Sequence, residues 1–189
     1  MRRLSALDAQ FLHAETATTT THVAGVAILD PRRAPGGTLT RDALVDLLRA
    51  RLHLVPPMRM RLVETPFGLD HPYWVEDPEV DPADHVFETT LPAPGDERAL
   101  AEAVARIHER RLDRGRPLWE MHLIHGLSGG RVAVYTKIHH SAIDGVSGAE
   151  VLAAVLDLSP EGREVARPEP AAPPEPVPEF PEQAPPAPP

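Results

Sequence analysis

The stretch with the most evident chemistry is Lys137-Ile-His-His-Ser-Ala-Ile-Asp-Gly145, in which two adjacent histidines precede an acid. A neutral imidazole is the side chain best matched to taking a proton near pH 7. An alcohol is a weak nucleophile until a base removes its proton as it attacks. His139 and His140 follow an apolar run, Val132 to Tyr135, that reads as a strand. A strand end is a rigid mount for a base. Asp144 could fix an imidazole tautomer, or tie down the turn through an Arg. Gly145 lets the backbone turn or approach a substrate closely. The set suits acyl transfer to a hydroxyl. Ser141 lacks the strained small-residue elbow that surrounds a catalytic serine.

Two other readings compete with this one. The chain holds ten histidines, so an adjacent pair can arise without a function. His and Asp are also metal ligands. Zinc, however, takes four ligands, three of them from protein in catalytic sites. No second His, Asp or Glu cluster has clear ligand spacing.

The elements that must carry this cluster read as mixed α and β. Ser5 caps a short helix over Ala6 to Glu15, to which Asp8 and Phe11 belong, and Val23 to Leu29 reads as a strand. Thr40 caps a helix whose Leu44, Leu47, Leu48 and Leu52 share one face, and Pro56-Pro57 ends it. Met58 to Val63 alternates apolar and charged residues like a half-solvated strand. Tyr73 to Glu76 and His85 to Leu91 are further strands. Asp96 opens a helix with Leu100, Val104, Ile107 and Leu112 on its buried side. Trp119 to Leu127 and Arg131 to His139 flank Ser128-Gly129-Gly130, a hairpin signal. Val146 to Leu156 reads as a last helix. Within these elements His85, His125 and Lys137 read as ordinary strand residues, with Lys137 solvated. The alternative for Lys137 is attraction of an anionic ligand.

Composition narrows the classes. The chain has 189 residues, no Cys, and a formal net charge of −9. There are no disulfides, thiolate metal sites or Cys nucleophiles to consider. The acidic balance argues against nucleic acid, which is bound by concentrated Lys and Arg. No apolar run approaches the roughly 20 residues a membrane helix needs, and Asp8 and Gln10 interrupt any signal peptide. The expected location is cytoplasmic. Twelve of the 23 prolines fall in residues 160–189, with six Glu against two Arg. The expectation is a folded domain over 1–158 and a disordered Pro/Glu-rich linker or tail over 159–189.

His-His-Ser-Ala-Ile-Asp-Gly matches the HHxxxDG signature of the superfamily that includes chloramphenicol acetyltransferase, carnitine acyltransferases and condensation domains. Three more stretches narrow the resemblance. Leu4-Ser-Ala-Leu-Asp-Ala-Gln-Phe-Leu-His-Ala-Glu15 resembles the opening of the bacterial wax ester synthase/diacylglycerol acyltransferase family. Pro117-Leu118-Trp119-Glu120, after Leu112-Asp113-Arg114-Gly-Arg-Pro, resembles its PLW motif. His85-Val86 is similar to a short His-Val stretch of the same family.

The resemblance implies a mixed β-sheet flanked by helices, one half of a chloramphenicol acetyltransferase-like two-domain architecture. It implies transfer of a long-chain acyl group from acyl-CoA to diacylglycerol or a fatty alcohol. No cofactor or metal is needed, and CoA enters as substrate. His140 would be the general base, removing the acceptor's proton and returning it to the CoA thiolate. His139 would support it, Asp144 would hold the loop, and Gly145 would give turn and access. Pro117, Leu118 and Trp119 would either pack a strand start or line the acyl channel. Such substrates imply contact with a membrane inner face or lipid droplets. Family members also carry a second, similar domain with an Asn-Asp motif, and this sequence contains no Asn. A C-terminal acyltransferase domain is therefore an expected partner. Two alternatives remain: an inactive truncated domain acting through a partner, and a condensation-type amide-forming domain.

Overall fold

Side-chain caps set where the helices begin. The computed structural model describes residues 1–33, 35–66, 69–143, 148–157, 163, 165 and 166. Helix α1 (Ala6–Ala14) starts on Ser5, whose hydroxyl accepts the Asp8 N–H. Helix α2 (Arg41–Arg51) starts on Thr40, which accepts the Ala43 N–H, and α3 (Glu97–His108) on Asp96, which accepts the Ala99 N–H. Each such cap satisfies a helix donor that has no intrahelical partner and contributes about 1 kcal/mol. Helix α4 spans Gly148–Val155.

Seven strands form two sheets among the described residues. The smaller holds β1 (Arg2–Arg3), β4 (Tyr73–Glu76) and β3 (Met60–Val63), in the order β1-β4-β3 and all antiparallel. The larger has the order β2-β7-β6-β5, from β2 (His22–Leu29), β7 (Arg131–His139), β6 (Trp119–Leu127) and β5 (Val86–Thr90). Its β5–β6 pair is parallel and the rest antiparallel, so the sheet is mixed, as expected. The sequence led us to expect one sheet. The second forms because the Met60 to Val63 and Tyr73 to Glu76 runs pair with each other and with the N-terminus.

Strand β7 lies at the centre and is buried on both faces from Val132 to His139. Successive strand residues point to opposite faces. Val132, Val134 and Ile138 join Trp119, Met121 and Leu123 under α2 and α4, which contribute Leu44, Leu48, Val151 and Val155. Ala133 and Tyr135 face the other way, with Ile124, onto Leu100, Ala103 and Ile107 of α3. The buried Arg51 joins α2 to α4 by donating to the Val155 carbonyl at 2.9 Å and the Asp157 carboxylate at 2.5 Å. Gly95 (φ 65°) lies so close to Gly126 that a Cβ there would stand 1.8 Å from the Gly126 carbonyl oxygen.

Some boundaries differ from expectation. Pro56-Pro57 open a short 3₁₀ turn that runs through Arg59 and buries Met58, so β3 begins at Met60. Proline has no N–H for a ladder, and pairing starts only beyond the turn. Helix α3 ends at His108, and Leu112 lies beyond it, buried in the other core. The expected last helix is described from Gly148, with Val146 outside the described residues. Of the expected tail, only Arg163, Val165 and Ala166 are described.

Candidate active site

The two adjacent histidines have opposite environments. His139 ends β7 with 1% exposure, while His140 starts a 3₁₀ turn (His140–Ala142) and is exposed. The turn is pinned by the residue just before β2, because the His140 N–H donates to the Thr21 carbonyl at 2.8 Å. The Phe11 ring of α1 stacks on the His140 imidazole, centroids 3.9 Å apart and planes 16° apart. Ser141, 0% exposed, places its hydroxyl 2.7 Å from His139 Nδ1, and its backbone N–H donates to that nitrogen at 3.2 Å. A serine enclosed this way is a partner of the imidazole and has no access to a substrate.

A buried acid stands behind His139. The Glu15 side chain is 2% exposed, and its Oε1 lies 3.5 Å from His139 Nε2 and 3.4 Å from His22 Nε2. Arg114 donates to Glu15 Oε2 at 3.1 Å and to the Leu12 carbonyl at 2.7 Å, clamping the end of α1. Burial drives the His139 pKa down to about 4. The Glu15 charge opposes the shift, and His22 and Arg114 add to it. Burial also lowers the pKa of His22. His139 is therefore a neutral imidazole at pH 7.

Lys137 does not behave as a solvated strand residue. It is 0% exposed, and its ammonium donates to the Ile107 and Arg110 carbonyls at 3.0 and 2.6 Å and lies 3.3 Å from Glu120 Oε2. Period-2 alternation turns it to the α3 face, where the open carbonyls at the helix C-terminus attract a cation. Burial lowers its pKa and Glu120 works against that. It cannot meet an anionic ligand from there.

The PLW stretch is also inside. Leu118 and Trp119 are each 1% exposed and Pro117 is buried. Trp119 Nε1 donates to the Met58 carbonyl at 2.8 Å, and its ring stacks on His85 at 4.3 Å. The Leu118 carbonyl accepts the His139 N–H at 2.9 Å, so this stretch abuts the histidine pair directly. His85 is not a strand residue. It lies in the turn before β5, 3% exposed, and its Nδ1–H donates to the Trp119 carbonyl at 2.9 Å. His125, on β6, pairs with Glu88 at 2.6 Å.

The structure thus brings together His139, His140, Leu118 and Trp119. Asp144 and Gly145 lie outside the described residues. Among the described residues no group of three or more His, Asp or Glu could hold a metal ion. An apolar groove of about 270 Å³ opens beside the turn, lined by Pro56, Pro57, Met60, Trp74, Ala142 and Arg2. Sequence reasoning missed Phe11, Thr21, Glu15 and Arg114 as neighbours of the pair. Phe11, Glu15 and Arg114 fall in the stretches that carry the family resemblance and Thr21 does not, but all four reach the histidines only through tertiary packing.

The fold is that of condensation-type domains. The starter condensation domain of rhizomide synthetase superposes with a TM-score of 0.55 at 17% identity, over 76% of this chain and 34% of that one. The wax ester synthase/diacylglycerol acyltransferase of Marinobacter aquaeolei VT8 superposes with a TM-score of 0.62 at 35% identity, over 78% of this chain and 36% of that one. The family profile described as the wax ester synthase/diacylglycerol acyltransferase catalytic domain matches residues 4–185, and the chain belongs to that family. A Mycobacterium tuberculosis protein, Rv3087, that bears a diacylglycerol O-acyltransferase name is 40% identical over 168 residues, which are 89% of this chain and 35% of that protein. Another from that organism, Tgs3, with a name of the same kind, is 39% identical over 155 residues, 82% of this chain and 56% of it. This chain thus spans about a third of the length of most of these relatives. No helix among the described residues is long and apolar enough to cross a membrane.

Proposed function

We propose that this chain carries the histidine half of an O-acyltransferase site that moves a long-chain acyl group from acyl-CoA to diacylglycerol or a fatty alcohol. One observation carries the reading: of two adjacent histidines, one is buried and neutral while its neighbour is exposed on a pinned turn. His140 takes the proton of the acceptor hydroxyl as its oxygen attacks the thioester carbonyl carbon. The tetrahedral intermediate then collapses, the C–S bond breaks, and the imidazolium returns the proton to the CoA thiolate. His139 supports the turn. Asp144 and Gly145 take the supporting roles that the resemblance implies. Leu118 and Trp119 act by packing beside the pair, with the adjacent apolar groove a candidate for the acyl chain. Family membership and the names of the relatives support this chemistry. Further acyltransferase chain, of the kind that makes the relatives longer, completes the site around His140. Such substrates place the working enzyme against a lipid surface.

The test is thiol release from palmitoyl-CoA with dioleoylglycerol or hexadecanol, with the ester identified by chromatography. It is run on the chain alone and on the chain joined to the remaining segment of a longer relative. Ester formation that falls about 10²-fold or more in His140→Ala supports the reading. No ester in either arrangement, or full activity in His140→Ala, sinks it.

A further inference from the structure

Thr21 bonds to three residues of the candidate site, Phe11, His139 and His140. Its hydroxyl donates to the Phe11 carbonyl at 3.0 Å. Its Oγ1 lies 3.0 Å from His139 Nε2. Its carbonyl accepts the His140 N–H at 2.8 Å. A carbonyl only accepts, so the single hydroxyl proton is committed to Phe11. The contact with His139 must then run the other way, Nε2–H donating to Oγ1. The far side of the ring agrees independently: the Ser141 N–H points at Nδ1, which must therefore be the bare nitrogen. Two bonds on opposite sides of the ring demand the same neutral tautomer. Glu15 Oε1, at 3.5 Å, is too distant to replace Thr21, and among the described residues it has no hydrogen-bond partner.

We propose that Thr21 is a positioning residue of this site: its hydroxyl holds His139 as the Nε2–H tautomer, and through Phe11 and the His140 N–H it fixes where the exposed imidazole stands. The effect on turnover rests on the reading of His140 as the base, but the effect on His139 does not. Misplacing a reacting group by about 1 Å can cost about 10²-fold in rate. A loosened ring on a turn still held by the Thr21 carbonyl falls short of that.

The experiment uses the full chain labelled with ¹⁵N and long-range ¹H–¹⁵N spectra of its imidazoles. In the wild type, His139 shows the Nε2–H tautomer alone and stays neutral from pH 8 down to pH 5.5. Thr21→Val keeps the shape but removes the acceptor, and the His139 signals move to values averaged between the two tautomers. Thr21→Ser restores the wild-type pattern. In the palmitoyl-CoA assay, Thr21→Val lowers kcat about tenfold with KM within about twofold, and Thr21→Ser stays near wild type. An Nδ1–H tautomer in the wild type, or an unchanged His139 spectrum in Thr21→Val, overturns the proposal. Full turnover in His140→Ala would remove the base reading and leave the spectra to judge Thr21. Should Thr21→Val not fold, the wild-type tautomer and Thr21→Ser still decide.

Discussion

The Phe11 ring lies flat against the His140 imidazole, 3.9 Å away and 16° from parallel. It joins the end of α1 to the exposed histidine of the turn, 129 residues further along the chain. The contact covers one face of the ring and leaves the other to solvent or substrate.

Removing that cover should change His140 without unfolding the chain. Phe11→Ala is expected to raise the rate at which diethyl pyrocarbonate modifies His140 severalfold, read by peptide mass spectrometry. In the acyl transfer assay the same variant should lose about tenfold in kcat, because the ring is free to rotate away. Phe11→Tyr, which keeps the stacked ring, should stay close to wild type in both.

Lys137 makes a prediction about stability. Lys137→Met leaves the Ile107 and Arg110 carbonyls without their partner and Glu120 without its cation. The expected loss is about 3 kcal/mol, measured by urea unfolding. Lys137→Met combined with Glu120→Gln should recover part of it, since the second change removes the stranded charge. Equal stability of wild type and Lys137→Met would contradict the buried contacts.

Acid should weaken the fold before the carboxylates titrate. His139 has a folded pKa of about 4 against 6.5 when unfolded, and burial also lowers those of His22 and His85. Between those values the unfolded chain binds more protons than the folded one, so stability is full above about pH 6.5 and falls as the pH drops toward 4. His139 alone contributes up to about 3 kcal/mol over that window. Urea midpoints at pH 7.5, 6 and 5 should decline, and His139→Gln should flatten the slope. A flat profile in the wild type would show that these imidazoles are not buried neutral.

Trp119 separates packing from chemistry. Trp119→Phe removes the bond to the Met58 carbonyl and part of the contact with His85, and should cost about 2 kcal/mol. His140→Ala touches an exposed ring and should leave the melting temperature within about 1 °C, since surface changes are usually worth under about 0.5 kcal/mol. Scanning calorimetry on the two variants compares them directly.

Much of the architecture was legible locally. Ser5, Thr40 and Asp96 each cap the helix expected from them, because a cap is a bond between residues three apart. The Trp119 to Leu127 and Arg131 to His139 strands have the bounds read from the sequence, set by Ser128-Gly129-Gly130, whose glycines adopt φ of 76° and 72°. Reading failed where a residue's surroundings come from elsewhere. Lys137 looked solvated because nothing nearby in sequence reveals that the end of α3 lies over it. Leu112 reads as a continuation of α3, yet it lies past the helix end and is buried in the other core.

The candidate site divides in the same way. The residue types and order of the histidine motif, the PLW stretch and the opening segment are sufficient in sequence to point to the wax ester synthase/diacylglycerol acyltransferase family, to which the chain belongs. Residue type and spacing alone do not separate His139 from His140, and in the sequence only the family resemblance assigns His140 as the base. The distinction is tertiary. His139 is the last residue of a strand buried on both faces, so its ring is enclosed by Thr21, Glu15 and Ser141 and stays neutral. His140 is the first residue past the ladder, where the chain turns and the Phe11 ring stacks on an exposed imidazole. Local pattern determines where strands and helices begin and end, because caps, prolines and glycine turns act within a few residues. Burial, tautomer and access depend on which distant surfaces close over each side chain, and only the packed fold decides that.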